Sequence, residues 1–197
     1  MKRWTRRGFI VSTAATTCVG CLDPDEVTTV RSRRSSTAAP GAGLSPGVPG
    51  AVAVGPIGIV WRDVAVSPVY VPAARAWVVA VADGEADTAL AASDERLHPG
   101  IRAGLMALHQ KCPHLGCRVP FCESSGWFEC ACHGTKFTRL GEHREGPGPR
   151  GLDAFPIVVT NGVVTIDVGQ LVTGHPAGTV IVDAPPSGPS CVDAGNP

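Results

Sequence analysis

No charge of one sign prevails in this chain, where seventeen Lys and Arg face seventeen Asp and Glu over 197 residues. That balance leaves no electrostatic case for nucleic acid as a partner. Aromatic residues are scarce at 5%, long helix-forming runs are missing, and Gly and Pro number 24 and 18. Short strands joined by turns suit that composition. Internal repeats are absent. The length admits one well-buried domain with tails and is too small for two comfortable ones.

Eight cysteines are present. In a cytosolic protein of this size they would be metal ligands or catalytic groups, whereas in an exported one some can pair. The N-terminus favours export. Lys2 to Arg7 is basic, Gly8 to Leu22 is weakly apolar, and no acidic residue precedes Asp23. Basic, then apolar, then small is the anatomy of an export signal, and Thr5-Arg6-Arg7-Gly8-Phe9-Ile10 resembles a twin-arginine (Tat) signal for folded cargo. Val19-Gly20-Cys21 resembles a lipoprotein box with Cys21 as the lipid-bearing residue, although Cys18 stands where Leu is preferred. The apolar run falls short of the roughly 20 residues that span a bilayer. Lipid anchor, retained anchor and simple cleavage stay open, and each directs the protein to the periplasm or cell exterior.

After this segment (1–22), residues 23–50 read as a flexible linker: acidic at Asp23 to Glu26, basic at Arg31 to Arg34, then Ser, Ala, Pro and Gly. Residues 184–197 read as a disordered tail carrying Cys191. The domain between, 51–183, shows β-type runs at Ile57–Trp61, Val69–Val71, Arg75–Val81, Leu105–His109, Trp127–Cys130 and Phe155–Asp167. Asn161-Gly162 between two Val/Ile-rich arms is a strong hairpin signal. Asp83 to Gly100 reads as a long loop or short helix. The expected fold class is all-β, with Trp61, Trp77 and Trp127 in the core.

The chemistry gathers in two boxes, Cys112-Pro113-His114-Leu115-Gly116-Cys117 and Cys130-Ala131-Cys132-His133-Gly134-Thr135. Each offers a thiolate and an imidazole. The fifteen residues between His114 and Cys130 are enough for strand, turn and strand, which would bring the boxes side by side. Zinc is also bound by two Cys and two His, but its usual pairs match Cys with Cys and His with His; here each pair is mixed.

Cys-x-His, fifteen residues and Cys-x-x-His resemble the Rieske iron–sulfur signature. Cys117 and Cys132 are similar to the disulfide-bearing class found in quinol:cytochrome oxidoreductases. The resemblance implies an antiparallel Rieske-like sheet domain with a small inserted cluster-binding subdomain at about 105–150. It implies one [2Fe–2S] cluster, with Cys112 and Cys130 on the inner iron and His114 and His133 on the outer, and it supports a Cys117–Cys132 bridge over two spare thiols. Leu115 would shield the outer iron, Gly116 and Gly134 would let backbone amides approach the sulfurs, and Pro147, in Gly146-Pro147-Gly148-Pro149, would belong to a loop covering a third side. Two residues depart from the higher-potential members of the family, which have Ser and Tyr there: Thr135 keeps a hydroxyl donor, Phe137 does not. A lower potential, matched to menaquinol, is expected.

By the same resemblance the chain is an electron carrier, with catalysis belonging to an assembled complex. His114 or His133 would contact quinol, and cytochrome b-type and c-type subunits would be partners. Two other placements stay open: the Rieske subunit of a periplasmic molybdenum oxidase of the arsenite-oxidase type, and a Rieske ferredoxin of an oxygenase system. Cys122 and Cys191 read equally well as a second disulfide or as independent thiols. His98, His109, His143 and His175 read as solvated surface residues.

Overall fold

The computed structural model describes residues 50–192. The signal-like segment, Cys21 and all but the last residue of the linker lie outside the described residues. In chain order the elements are β1 (Ala51–Pro56), α1 (Ile57–Val64), β2 (Val69–Val71), β3 (Ala76–Ala80), α2 (Asp83–Ala92), α3 (His98–Arg102), β4 (Leu105–His109), β5 (Phe121–Cys122), β6 (Trp127–Cys130), β7 (Thr135–Phe137), β8 (His143–Glu145), β9 (Ala154–Phe155), β10 (Ile157–Thr160) and β11 (Val163–Asp167). They form three antiparallel sheets, ordered β1-β11-β10, β2-β3-β4-β9 and β5-β6-β7-β8. The all-β reading stands, with three short helices on its flanks.

The β10–β11 hairpin closes where expected. Asn161 and Gly162 both take left-handed backbone (φ 51° and 75°), the conformation of a type I′ turn. Ile57–Trp61, read as a strand, is instead the first half of α1. Ile57, Ile59 and Trp61 alternate as a strand would, but Val60 and Val64 recur at helical spacing. The helix wins by burying that pair, 5% exposed each, with Trp61 half-buried beside them and Ile59 left outside at 48%. Asp83 to Gly100, left as loop or short helix, contains α2 and most of α3.

Two hydrophobic clusters divide the core. One gathers α1, β3, β4 and the β10–β11 hairpin around Val78, Leu105, Ile157 and Ile166. The other lies under the four-stranded β5–β8 sheet, around Val79, Leu108, Val119, Phe128 and Phe137. Burying one such side chain contributes about 1.5–3 kcal/mol. Phe128 and Phe137, paired across β6 and β7 and both fully buried, therefore anchor this small sheet to the base. Trp77 packs on Phe128 at 5.7 Å and donates from Nε1 to the Val119 carbonyl. Trp127 is also buried, whereas Trp61 and Trp77 are half-buried at the cluster edges.

The expectation of a disordered tail is corrected for residues 184–192. They form no helix or strand, but a Cys122–Cys191 disulfide ties their far end to β5. Composition alone argued for disorder; the covalent bond supplies what the missing apolar burial does not. Among the described residues no helix is long and apolar enough to cross a membrane.

Candidate metal centre

The two boxes fold into matching turns at one end of the β5–β8 sheet. In the first, the Gly116 amide donates to the Cys112 carbonyl at 2.9 Å; in the second, the Gly134 amide donates to the Cys130 carbonyl at 3.0 Å. Both glycines sit in left-handed backbone, φ 86° and 72°, which a side chain would disfavour. The amides of these two glycines themselves close the turns, and the His114 amide is directed at the Cys112 sulfur. The Cys112 amide also donates to the Cys117 carbonyl at 2.7 Å, so the first box is pinned at both ends. A Cys117–Cys132 disulfide joins the two turns.

Inside this frame lie Cys112 and Cys130, each 1% exposed, and among the described residues they are the only free thiols. Burial pushes the Cys112 thiol up to about 11; the adjacent Cys130 thiol adds to the rise, while the His114 amide favours the thiolate. Burial keeps the Cys112 thiol protonated on its own, and binding a metal would let both thiols deprotonate into thiolate ligands. Outside them the His114 and His133 rings meet edge to face, 4.7 Å between centroids. His133 is exposed and His114 half-buried.

Further residues complete the setting. Thr135, paired across the strands with Cys130, is fully buried, and its Oγ1 has no hydrogen-bond partner among the described residues. Such an orphan calls for an acceptor that the polypeptide does not supply. The Gly146-Pro147-Gly148-Pro149 segment approaches from a third side: a Cβ on Gly146 would stand 2.6 Å from Thr135 Cα, and one on Gly148 would stand 2.7 Å from Thr135 Cγ2. Leu115 projects outward at 71% exposure and so borders the histidine pair from the solvent side. Phe137 is buried in the core, and the His143 ring meets its ring edge-on, 6.1 Å between centroids.

Two buried thiols, two adjacent imidazoles and an unsatisfied buried hydroxyl fit a two-iron, two-sulfide cluster with mixed nitrogen and sulfur ligands. The sequence-derived set of Cys112, His114, Cys130 and His133 comes together in one place, with Leu115, Gly116, Gly134, Thr135, Phe137 and Pro147 around it.

Sequence reasoning missed other neighbours. Beside the first box, His109, Lys111 and Arg150 join Pro113, His114 and Leu115 in lining a recess of about 410 Å³. His109 is half-buried, its ring edge-on to Phe155 with Nδ1 buried and unpartnered, and burial holds its pKa below the ordinary imidazole value against the pull of Asp153. The solvated reading of His109 is thus corrected, while His98, His143 and His175 stay partly exposed at the surface. Arg150 grips Asp153 through two hydrogen bonds, at 3.0 and 2.9 Å. Only Glu129, wedged between Phe128 and Cys130 in a buried strand, carried a visible signal: an acid where apolar residues belong.

Residues 72–156 match the family model of the Rieske [2Fe-2S] domain. The chain is 41% identical over 61 residues to cytochrome b6-f complex iron-sulfur subunit 2 of the Cyanophora paradoxa cyanelle, covering 30% of this chain and 25% of that one. It is 44% identical over 62 residues to the ubiquinol-cytochrome c reductase iron-sulfur subunit of Rhodobacter capsulatus, covering 29% and 31%. The matched stretch thus spans only about a quarter to a third of these curated relatives. Among solved structures, it resembles the soluble domain of Rieske protein II from Sulfolobus acidocaldarius, with a TM-score of 0.43 and 17% identity, covering 74% of this chain and 88% of that one.

Proposed function

We propose, from the premise that residues 72–156 are a Rieske [2Fe–2S] domain in an iron–sulfur electron-transfer protein, that this chain takes an electron and a proton from a quinol, menaquinol by preference, and hands the electron to a cytochrome within a bc-type complex. Cys112 and Cys130 would hold the cluster on its buried side, and His114 and His133 on its exposed side. When bound, the cluster supplies one-electron storage at a potential raised by neutral imidazole ligands relative to all-cysteine ligation.

The observation that carries this reading is the adjacent His114–His133 pair facing solvent above two buried thiols. An imidazole edge at the surface can accept a hydroxyl hydrogen bond and hold the proton that leaves with it. Exposed Leu115 gives the apolar body of a quinol something to lie against while its hydroxyl reaches the imidazole. The thiol side stays dry, because the disulfide and the glycine–proline segment close it from two directions. One curated relative is named as an iron–sulfur subunit of a cytochrome b6-f complex and the other as that of a ubiquinol-cytochrome c reductase, which supports cytochrome b-type and c-type partners here. Export, and a membrane anchor at the N-terminus, belong to the same proposal and rest on residues 1–22.

Electron paramagnetic resonance of the reduced protein in native membranes tests the quinol contact. A quinol-site inhibitor should change the lineshape of the reduced signal. A signal indifferent to inhibitor and to quinone extraction would refute it.

A further inference from the structure

Outside the metal centre, residues 184–192 are fastened at several points along their length. Trp127 Nε1 donates to the Ala184 carbonyl at 3.0 Å, the Ser187 amide to the Ser125 carbonyl at 2.8 Å, and Ser124 Oγ to the Pro189 carbonyl at 2.7 Å. The amides of Cys191 and Val192 both donate to Glu129 Oε2, at 2.7 and 2.9 Å, while Ser125 Oγ donates to Oε1 at 2.6 Å. Glu129 is 1% exposed, and among the described residues no Lys, Arg or His pairs with it. A buried carboxylate served by two amides and a hydroxyl is a seat built for this segment.

The seat does not hold the segment unaided. Residues 185–191 are all exposed, and this stretch, rich in Pro, Ser and Gly, has no regular structure. Its few rim hydrogen bonds do not offset the entropy of ordering it. What closes the balance is the Cys122–Cys191 bond, whose Cys191 half is exposed and whose Cys122 half is 2% exposed. Upstream, residues 179–182 are held differently, by Glu142 and Arg144: Glu142 accepts the Ile181 and Val182 amides, and Arg144 donates to the Thr179 and Val182 carbonyls. Opening the disulfide therefore frees the end of the tail and leaves its root attached.

We propose that Cys122–Cys191 is a thiol-operated latch that presses residues 184–192 onto the β5–β6 hairpin and releases them when a dithiol reductant opens it. The thiolate of the dithiol attacks Cys191 Sγ, the exposed sulfur; a mixed disulfide forms and Cys122 leaves as thiolate. The second thiol of the reductant then displaces Cys191. Two electrons pass from the dithiol to the bond, the reductant ends as a disulfide, and its two protons end on Cys122 and Cys191. Ser124 Oγ, 3.2 Å from Cys122 Sγ and 3.6 Å from Cys191 Sγ, can turn its hydroxyl to the departing thiolate. Release bares Glu129 and Trp127 on the strand that ends in Cys130. The latch stands without the Rieske reading.

The test is amide hydrogen exchange on the purified full chain, oxidised, after dithiothreitol titration, and after reoxidation, with alkylation and peptide mapping to show which disulfide has opened. Once Cys122–Cys191 is open and Cys117–Cys132 intact, the amides of Ser187, Cys191 and Val192 should exchange at least tenfold faster, β3 and β4 should be unchanged, and reoxidation should restore protection. Cys191→Ser should match the reduced state, and Glu129→Gln, with the bond intact, should speed exchange at residues 191 and 192 alone. Protection that persists in 184–192 after the bond opens would overturn the latch. So would protection lost from β3 and β4 at the same time, which would make the bond a staple of the whole fold. If Cys191→Ser does not fold, the titration of the unaltered chain decides. Exchange in the tail reads the latch at any iron content, and separate iron and sulfide analysis reads the cluster.

Discussion

Replacing Phe137 with Tyr probes the electronic environment of the metal centre. Thr135 and Phe137 are two residues apart on β7, so both side chains leave the same face of the sheet, and Thr135 lies beside Cys112. A phenol at position 137 adds a donor on that face. A hydrogen bond to a charged acceptor contributes about 1.5–3 kcal/mol, but only the part that strengthens on reduction moves the potential. If that part is about 1 kcal/mol, the midpoint rises by roughly 40 mV, since 1.4 kcal/mol corresponds to about 59 mV for one electron. The cost is local, because position 137 is fully buried and an extra atom in a packed core destabilises by about 1–3 kcal/mol. Protein-film voltammetry of the two full-length proteins, with thermal unfolding measured alongside, gives both numbers. A midpoint unchanged or lowered in a variant that still melts within a few degrees of the parent would refute the reasoning that the missing donor lowers the potential.

Two other perturbations have defined outcomes. Gly146→Ala drives a methyl group to within 2.6–2.8 Å of Thr135 and Gly134 backbone atoms, which cannot yield as a side chain could; iron and acid-labile sulfide per chain should fall, together with about 1–3 kcal/mol of stability in denaturant titration. His109 has its pKa lowered by burial, so it is neutral in the fold and must be charged on unfolding in acid. Its contribution is therefore present above the unfolded value near 6.5 and is lost as pH falls below it toward the folded value; His109→Gln should flatten the decline in melting temperature between about pH 7 and 5.

The ligand boxes were legible in the sequence because each is a local unit. A Cys and a His two or three residues apart, followed by a turn glycine, specify their own loop whatever the rest of the chain does, and Asn161-Gly162 specifies its hairpin for the same reason. Ile57–Trp61 was not legible, since its apolar residues satisfy a period of two and nearly satisfy 3.6; the choice fell to the surface formed by β3, β4 and β11 against Val60 and Val64. Which cysteine Cys191 joins, and why an acid sits buried at position 129, could not be read locally, because both answers come from a segment more than sixty residues further along the chain.

By itself, then, the order of residues determined the donor set, the strand-rich architecture and the turn chemistry, all properties of short stretches whose backbone preferences do not depend on distant partners. Tertiary structure alone decided the helix at α1, the half-burial of His109 and the fastening of the C-terminal segment. Each of those is settled by what packs or bonds from elsewhere, and burial energy and covalent closure outweigh local preference wherever such contacts form.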